Sequence, residues 1–182
     1  MISERPMGSA GPELVLESPA FAADAPIPRD HTGDGLNLSP PLHWHGEPEA
    51  TRSFVLILED PEAPAGLWVH WVVADIPARV HSLPQGLPRR LELENGAWQG
   101  RCWGVERFAR IGYYGPQPPE GPPHHYRFRL FALDQTLPLP PGATPPQVKE
   151  AMAGHLLAET SLVGSYGRSR RGPGGIRTGN WS

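Results

Sequence analysis

The chain has almost no cysteine and no long apolar run. Cys102 is its single thiol, so no disulfide can form within the chain, and we expect a cytoplasmic protein in a reducing compartment. No stretch approaches the roughly 20 apolar residues of a membrane helix, which predicts no membrane span. The first residues have no apolar run behind their charges, and we therefore expect no signal peptide.

Charge and catalytic motifs are equally scarce. The formal net charge is −3 and charged residues make up 19% of the chain, which gives no general attraction to nucleic acid. Lys149 is the only lysine among 16 basic residues. The sequence holds no HExxH, GxSxG, phosphate-binding loop or dinucleotide fingerprint, and no pair of catalytic carboxylates. We therefore expect a protein that is not an enzyme and that carries no cofactor and no metal.

Proline and glycine are abundant instead. The 24 prolines and 21 glycines are spread between apolar segments, which is typical of a mainly β domain with many short strands and stiff loops. The length of 182 residues fits one domain with tails. We predict a loose segment at 1–12, a folded domain at 13–167 and a disordered basic tail, rich in glycine and arginine, at 168–182.

Apolar periodicity locates the elements of that domain. Stretches of alternating or continuous apolar residues predict strands. The pair Pro40-Pro41 predicts the entrance to a further strand. Thr144, Pro145 and Gln147 match the start of a capped helix, which we expect to run to about Leu156. The predicted strands cover 13–18, 53–59, 68–76, 126–133 and 159–166, with a short one near 91–93 and a turn at Asn95-Gly96.

The stretch 54–71 is the one around which we interpret the rest. Its apolar run predicts a strand buried on both faces, which ends at Asp60 because Pro61 lacks a backbone donor and favours an extended residue before it. A stiff loop through Pro64 leads into the next strand, which carries His70. A carboxylate and an imidazole are therefore expected at neighbouring strand ends.

A second set of polar residues lies at the start of the strand predicted at 126–133. Tyr126 and Phe128 alternate with arginines, so their side chains should face one side of the strand. His124 precedes Tyr126 by two residues and should point to the same side if the strand extends that far.

Histidines allow a metal-based alternative. Asp60, His70 and His124 match the two-histidine, one-carboxylate ligand set, which makes a metal-dependent hydrolase or metalloprotein the first alternative. His43 and His45 share one face of a predicted strand, but no third ligand lies nearby in sequence. We interpret that second pair as solvated strand residues.

Three sequence blocks resemble those of one known family. Residues 37–44 read NLSPPLHW, residues 60–71 begin with DPEAP and end with HW, and residues 112–126 read GYYGPQPPEGPPHHY. In the same order, they resemble the NxSPPLxW, DPDAP…HW and GYxGPxPPxGxxHRY blocks of the phosphatidylethanolamine-binding protein family. Its branch of bacterial and archaeal Raf-kinase-inhibitor-like proteins is the most similar, over roughly residues 14–167. The resemblance implies a Greek-key antiparallel β-sandwich with one or two short peripheral helices.

The resemblance also implies a small cavity at one end of the sandwich that binds anions such as phosphate or phosphoryl head groups. Asp60, His70, His124 and Tyr126 match the polar residues of the family there. His125 stands where the family usually has arginine, which weakens one positive charge. The other expected ligand-binding residues are Pro64, Trp68, Gly115 and Gln117, of which Gln117 keeps the backbone N–H that Pro116 lacks.

Such a cavity would bind its ligand without catalysis. Two imidazoles and a phenol can donate to phosphate oxygens, and a half-protonated histidine pair would strengthen those bonds. Asp60 would hold a neighbouring histidine in its protonated form, or accept from a ligand proton or amine. We therefore expect a protein that takes a small anionic or phosphorylated ligand and modulates a partner such as a kinase or protease. The last alternative is a structural protein, a homodimer joined through its arginine-rich segments.

Overall fold

Antiparallel strands and one short α-helix make up most of the fold. The computed structural model describes residues 11–103 and 109–169. Most of the loose segment expected at 1–12 and of the disordered tail expected at 168–182 lies outside these residues. Of the tail, residues 168–169 are described, and Arg168 forms a β-bridge to Glu120 and an ion pair with Asp34 at 3.1 Å. Within the described residues the strands form antiparallel sheets, and the expected mainly β class is confirmed. No helix in these two ranges combines the length and the apolar character that crossing a membrane requires.

The elements alternate with proline-rich loops along the chain. The α-helix, α1, covers Pro145–Met152, and a single turn of 3-10 helix covers Arg29–His31. In chain order the strands are β1 (Val15–Glu17), β2 (Leu42–His45), β3 (Ser53–Asp60), β4 (Trp68–Pro77), β5 (Ser82–Leu83), β6 (Trp98–Gln99), β7 (Arg101–Cys102), β8 (Arg110–Ile111), β9 (His124–Leu133) and β10 (Leu156–Tyr166).

The central strand is β3, in a five-stranded sheet with the order β10-β9-β3-β4-β6. Its ladders to β4 and β9 are antiparallel. Every residue of β3 is buried, because both faces of the sheet are covered and apolar side chains on either face are removed from water. The strand buried on both faces, predicted from the apolar run 54–58, is therefore confirmed.

A smaller sheet of β1, β2 and β5 covers one face of the large sheet. Side chains of β3 alternate between the two faces, and Phe54, Leu56 and Leu58 pack with Leu16 and Trp44 of the smaller sheet. The rings of Trp44 and Phe54 meet edge to face, with centroids 5.6 Å apart. The two packed sheets form the β-sandwich that the resemblance implied.

Helix α1 covers the opposite face. Val148 and Met152 pack against a second apolar cluster that includes Ile57 of β3. The helix begins as predicted, since the Thr144 hydroxyl accepts from the backbone N–H of Gln147 and the Gln147 side chain accepts from the backbone N–H of Thr144. This capping box satisfies two backbone donors that a helix start would otherwise leave without partners.

The predicted end of this helix was wrong. The helix stops at Met152, four residues before the predicted Leu156. Gly154 has a φ of +83°, a left-handed conformation that glycine adopts without strain and that ends a helix. Leu156 instead begins β10, so the last strand is longer than the predicted 159–166.

The prediction for the segment after β5 was also only partly correct. Residues 91–93 do not form a strand, and Glu92 makes a single bridge to Trp98. The predicted turn is present, because the Gly96 N–H donates to the Leu93 carbonyl over 3.1 Å. The short strands β6, β7 and β8 follow from tertiary pairing that no local pattern revealed.

Candidate functional site

A cavity of about 240 Å³ opens where β3 ends and where β4 and β9 begin. Seven of the eight predicted ligand-binding residues line it, and Gly115 does not. The role of these residues in ligand binding remains a prediction, but their convergence is a feature of the structure. The lining residues are Asp60, Ala63, Pro64, Ala65, Trp68, His70, Trp103, Gln117, Pro118, Pro119, His124 and Tyr126.

Asp60 is the acidic group of this cavity and is only 2% exposed. One carboxylate oxygen accepts from the backbone N–H of Glu62 over 2.8 Å, which stabilises the turn after Pro61. The other oxygen accepts from Nδ1 of His124 over 2.7 Å. The carboxylate is therefore fixed on both sides, and the plane of the His124 ring is fixed with it.

His70 enters the cavity through an irregularity in β4. Leu58 pairs with Trp71 and Glu59 pairs with Val69, so His70 is one extra residue in β4 opposite β3. Such a β-bulge re-aims a side chain relative to the regular alternation of a strand. Val69 and Trp71 pack into the two opposite apolar clusters, while the bulged imidazole lines the cavity.

Burial and hydrogen bonding act in opposite directions on the protonation of His70. Burial lowers the pKa of His70, against the opposing effects of the Tyr114 carbonyl, the Asp60 charge and the Gly115 backbone. Nδ1 of His70 lies 2.7 Å from the Tyr114 carbonyl oxygen. A carbonyl can only accept, so Nδ1 donates and the neutral ring has its proton there. The lowered pKa disfavours a positive charge on His70, and the half-protonated histidine pair stays a prediction.

Tyr126 forms the floor of the cavity and is 1% exposed. Burial is the main cause that raises the pKa of its phenol, followed by the charge and hydrogen bonding of Asp60. Its ring lies 5.4 Å from that of His70 and 6.3 Å from that of His124, measured between centroids. The phenol thus stays protonated and can only be a neutral donor or acceptor.

Two indoles form the aromatic wall. Trp68 was predicted as a ligand-binding residue, and it lines the cavity. Trp103 also lines the cavity but was not predicted, because the segment 100–111 carried no clear pattern. The two rings meet edge to face at 5.6 Å. Trp103 has a φ of +67°, a strained conformation for a residue with a bulky side chain, and its backbone N–H donates to the Val69 carbonyl. Backbone strain of this kind is concentrated at functional sites. Nothing in the sequence indicated that Trp103 would adopt this conformation.

Gly115 stabilises the loop instead of lining the cavity, which corrects its predicted place. Its backbone N–H donates to the Asn37 side-chain oxygen over 2.7 Å. A Cβ atom at this position would lie 2.3 Å from the His31 carbonyl oxygen, so no side chain fits there. Asn37 belongs to the 37–44 block, and its role in joining that block to the 112–126 block was missed. Gln117 does line the cavity, and its side chain contacts the Gly33 carbonyl at 3.5 Å.

His125, which stands where the resemblance implied arginine, lies outside this cavity. Its backbone N–H and its Nδ1 both donate to the Glu62 carboxylate, over 2.5 and 3.1 Å. The bond from the His125 backbone N–H is the main cause that lowers the pKa of Glu62. Both side chains are about half exposed, so this pair lies at the surface beside the cavity and adds no cation to its wall.

The charge of the cavity is unusual for an anion site. Among the lining residues in the described ranges there is no lysine and no arginine. The lining side chains that can donate to an anion are His70, His124, Tyr126, Trp68, Trp103 and Gln117. No group of three His, Cys, Asp or Glu side chains within residues 11–103 and 109–169 is arranged to hold a metal ion, so the ligand set proposed from Asp60, His70 and His124 does not form here.

Comparisons with known proteins show the family of the chain. The family model described as phosphatidylethanolamine-binding protein matches residues 17–167. The chain belongs to the phosphatidylethanolamine-binding protein family. Similar family members include the UPF0098 protein of Pyrococcus abyssi, 42% identical over 165 residues, and that of Methanothermobacter thermautotrophicus, 44% identical over 155 residues. The matches cover 89% and 85% of this chain, and 90% and 99% of these relatives.

Solved structures of the phosphatidylethanolamine-binding protein family show the same fold. A homologue from Chlamydia trachomatis has a TM-score of 0.77 at 36% identity, over 87% of this chain and all (100%) of that one. YbcL of Escherichia coli, described as a member of the mammalian family, has a TM-score of 0.78 at 32% identity, over 86% of this chain and 99% of its own. The resemblance stated from the three sequence blocks is therefore confirmed.

A second cavity of about 360 Å³ lies on the α1 face of the same sheet. Beside it, Glu59 is fully buried and accepts from Nη2 of Arg127 at 3.0 Å, from Nη1 of Arg129 at 3.1 Å and from Nζ of Lys149 at 3.5 Å. In contrast to the cavity at Asp60, its walls include two cations, Arg129 and Lys149, and both are in contact with a carboxylate.

Proposed function

We propose that the cavity at Asp60 binds a small oxyanion, phosphate or a phosphoryl head group, and that the protein is not an enzyme. The observation that carries the proposal is the convergence of His124, His70 and Tyr126 around one fixed carboxylate. Imidazole and phenol groups are donors to phosphate oxygens. The proline and aromatic walls hold these donors in place before the ligand arrives, which lowers the entropic cost of binding.

The size of the cavity supports a small ligand. Its volume of about 240 Å³ lies below the range typical of pockets for drug-sized molecules, which begins near 300 Å³. A phosphate or the head group of a larger molecule is therefore favoured, with any attached chain outside the cavity. The edge-to-face wall of Trp68 and Trp103 would contact the apolar part next to such a head group.

The lining residues support binding more than catalysis. Within the described part of the chain, no serine, threonine or cysteine lines the cavity, so the nucleophiles of serine-type and cysteine-type hydrolases are not at hand. Cys102 lies behind the wall, where burial raises its pKa to about 12 and keeps it a thiol. Asp60 is hydrogen-bonded to His124 and to the backbone of Glu62, an arrangement that suits a fixed binding group.

The proposal extends to a partner protein. Occupancy of the cavity would modulate a protein such as a kinase or protease, and support for this step is the family resemblance alone. The proposed cytoplasmic compartment rests on the single thiol, Cys102. The proposal also includes a homodimer joined through arginine-rich segments. Its support is the composition of those segments.

Calorimetric titration with inorganic phosphate tests the proposed site. Asp60→Ala and His124→Ala should each weaken binding by about tenfold or more, because each removes one half of the pair that orients the donors. The matched control is His155→Ala, since His155 forms a similar pair with Asp134 at 2.9 Å but at the surface and away from the cavity. Equal phosphate affinity in wild type, Asp60→Ala and His124→Ala would exclude this site.

A further inference from the structure

The cavity on the α1 face is larger than the one at Asp60 and lies on the opposite side of the sheet. Its volume is about 360 Å³, against about 240 Å³ for the first cavity, and no described residue lines both. Its walls come from the end of α1 and the turn after it, from β9 and from the start of β10. Pockets for small organic molecules typically begin at roughly 300 Å³. This cavity is therefore a candidate binding site separate from the proposed oxyanion site.

One side of the α1 cavity is apolar. Phe131 and Met152 line it, and both are buried members of the apolar cluster under α1. Leu156 also lines it but is 48% exposed, which is unusual for a side chain beside an apolar cluster. An aliphatic group bound here would remove part of Leu156 from water, and such burial is favourable in proportion to the apolar area covered.

The other side of the α1 cavity carries Lys149. Its ammonium has three donors, but among the described residues its only hydrogen bond is to Glu59, at 3.5 Å. A charge-assisted hydrogen bond of this kind is normally about 2.7–2.9 Å long, so most of the donor capacity is unused. Arg129 differs, since it donates to Glu59 from Nη1 and to Glu159 from Nε and Nη2. Lys149 is therefore the cation of this wall that can bind a ligand.

The ion pairs around Glu59 leave one positive charge without a partner. Arg127, Arg129 and Lys149 contact Glu59, and Arg129 adds Glu159 to the group. Three cations thus share two carboxylates. Nε of Arg127 is also buried without an acceptor among the described residues. One further negative charge would balance this group, which favours a monoanion over a phosphomonoester with its charge of about −1.5 to −2.

We propose that the α1 cavity binds a small amphipathic carboxylate, a short aliphatic chain that ends in a carboxylate group. The carboxylate accepts from the Lys149 ammonium, and the chain lies on Phe131 and Met152 and extends towards Leu156. Lys149 and Met152 are three residues apart on α1, so their side chains are neighbours on the helix surface. The charged end and the apolar end of one small molecule can therefore contact both. This site does not depend on the proposed oxyanion site.

Hexanoate and hexanamide test the proposal, because they have the same chain length and differ in charge. The methyl signal of Met152 in a protein with isotope-labelled methionine reports from the cavity wall, and Met152→Leu assigns it. At neutral pH we expect hexanoate to shift this signal and to bind about tenfold more tightly than hexanamide. Affinity should rise about fourfold per methylene from butanoate to hexanoate as the chain covers the apolar wall. Inorganic phosphate, which has no apolar part, should leave the signal unchanged.

Two pairs of variants locate the charged and the apolar contact. Lys149→Gln should remove the preference for hexanoate over hexanamide, whereas Arg127→Gln, which also removes one cation from Glu59 but does not line the cavity, should keep it. Leu156→Thr should weaken hexanoate binding about fourfold or more. Its control is Leu157→Thr, because Leu157 is 36% exposed and does not line the cavity.

The possible outcomes are distinct. Equal binding of hexanoate and hexanamide would overturn the role of the carboxylate, and an unchanged Met152 signal at millimolar hexanoate would overturn the site. A Met152 signal that shifts with protein concentration alone would show that a second copy of the chain occupies the cavity, which also contradicts the proposal. The comparison of the two ligands uses the wild-type protein, so it stays decisive even if a variant does not fold. Failure of phosphate binding at Asp60 would leave this result unaffected.

Discussion

Glu59 and Asp60 are neighbours at the end of β3, and they differ in almost everything except burial. Glu59 is 0% exposed and Asp60 is 2% exposed. Because successive side chains of a strand point to opposite faces, Glu59 faces the α1 side and Asp60 faces the cavity at the strand ends. Glu59 contacts three cationic side chains, whereas Asp60 contacts an imidazole, a backbone N–H and the Tyr126 phenol.

The difference shows how two buried carboxylates can have separate roles. The oxygens of Glu59 are occupied by Arg127, Arg129 and Lys149, so this carboxylate joins β3, β9 and α1. The hydrogen-bonded pair of Asp60 and His124 lines a cavity. This cavity leaves space for a ligand beside its other donors and acceptors. We therefore expect the first carboxylate to stabilise the fold, and we propose ligand binding only for the second.

Glu59→Gln should have the largest effect on stability. The amide keeps the shape but leaves three cations around a site without a negative charge, and breaking a buried ion pair on one side typically costs about 3 kcal/mol. Urea denaturation should show a loss of about that size. The phosphate affinity of the folded protein should change by less than about threefold, a shift well below 1 kcal/mol.

Glu159→Gln is the matched control for this variant. Glu159 shares Arg129 with Glu59 but is partly exposed, and exposed ion pairs contribute at most about 1 kcal/mol. If both variants unfold at the same urea concentration as wild type, the structural role of Glu59 is wrong. A large loss of phosphate affinity in Glu59→Gln would remove the division between the two carboxylates.

His70→Asn should change how stability depends on pH, by a smaller amount. The pKa of His70 is lowered by folding, so below its ordinary value of about 6.5 the unfolded chain binds more protons than the folded protein. This single group therefore makes wild type lose stability as the pH falls below about 6.5, by at most about 1.4 kcal/mol per pH unit. In His70→Asn that part of the slope should be absent.

Melting temperatures between about pH 5 and 8 measure this effect as a difference between wild type and His70→Asn. The comparison isolates His70 because the other histidines titrate in both proteins. His155→Asn controls for the loss of any histidine, since its pair with Asp134 is partly exposed. Parallel curves for wild type and His70→Asn would show that the cavity does not hold His70 in its neutral form.

Thr144→Ala should have the smallest effect. The variant removes the hydroxyl that accepts from the backbone of Gln147 at the start of α1, and loss of such a cap costs about 1 kcal/mol. Helix α1 carries Lys149 to Glu59, so the change acts only on the Glu59 side of the sheet. Thermal denaturation should show the loss, with phosphate affinity unchanged. A change in affinity would mean that α1 and the cavity are coupled.

Local chemistry explains which parts of the fold could be predicted. The strand 53–60, its end at Asp60 and the capping box at Thr144 depend on neighbouring residues, so sequence alone predicted them. The end of α1 and the strands β6 to β8 depend on backbone conformation and distant pairing, and were missed. The charge cluster of Glu59 could not be seen either, because Arg127 and Lys149 are 68 and 90 residues away.

The site was predictable in its residues but not in its electrostatics. Asp60, His124 and Tyr126 stood in recognisable blocks, and the structure brings them together. Burial lowers the pKa of His70 and the Tyr114 carbonyl fixes the position of its Nδ1 proton, and neither effect has a local signal in the sequence. Trp103 reaches the wall from a segment without periodicity, through a left-handed backbone that favours residues other than tryptophan.

The bulge in β4 also matters to anyone who wishes to transplant the pocket into another sheet. A regular strand offers alternate residues to each side, and both sides next to His70 are already taken by Val69 and Trp71. One inserted residue supplies a third direction without disturbing either layer of packing. A recipient scaffold therefore needs that insertion as much as it needs the imidazole, and deleting residue 70 would remove both at once.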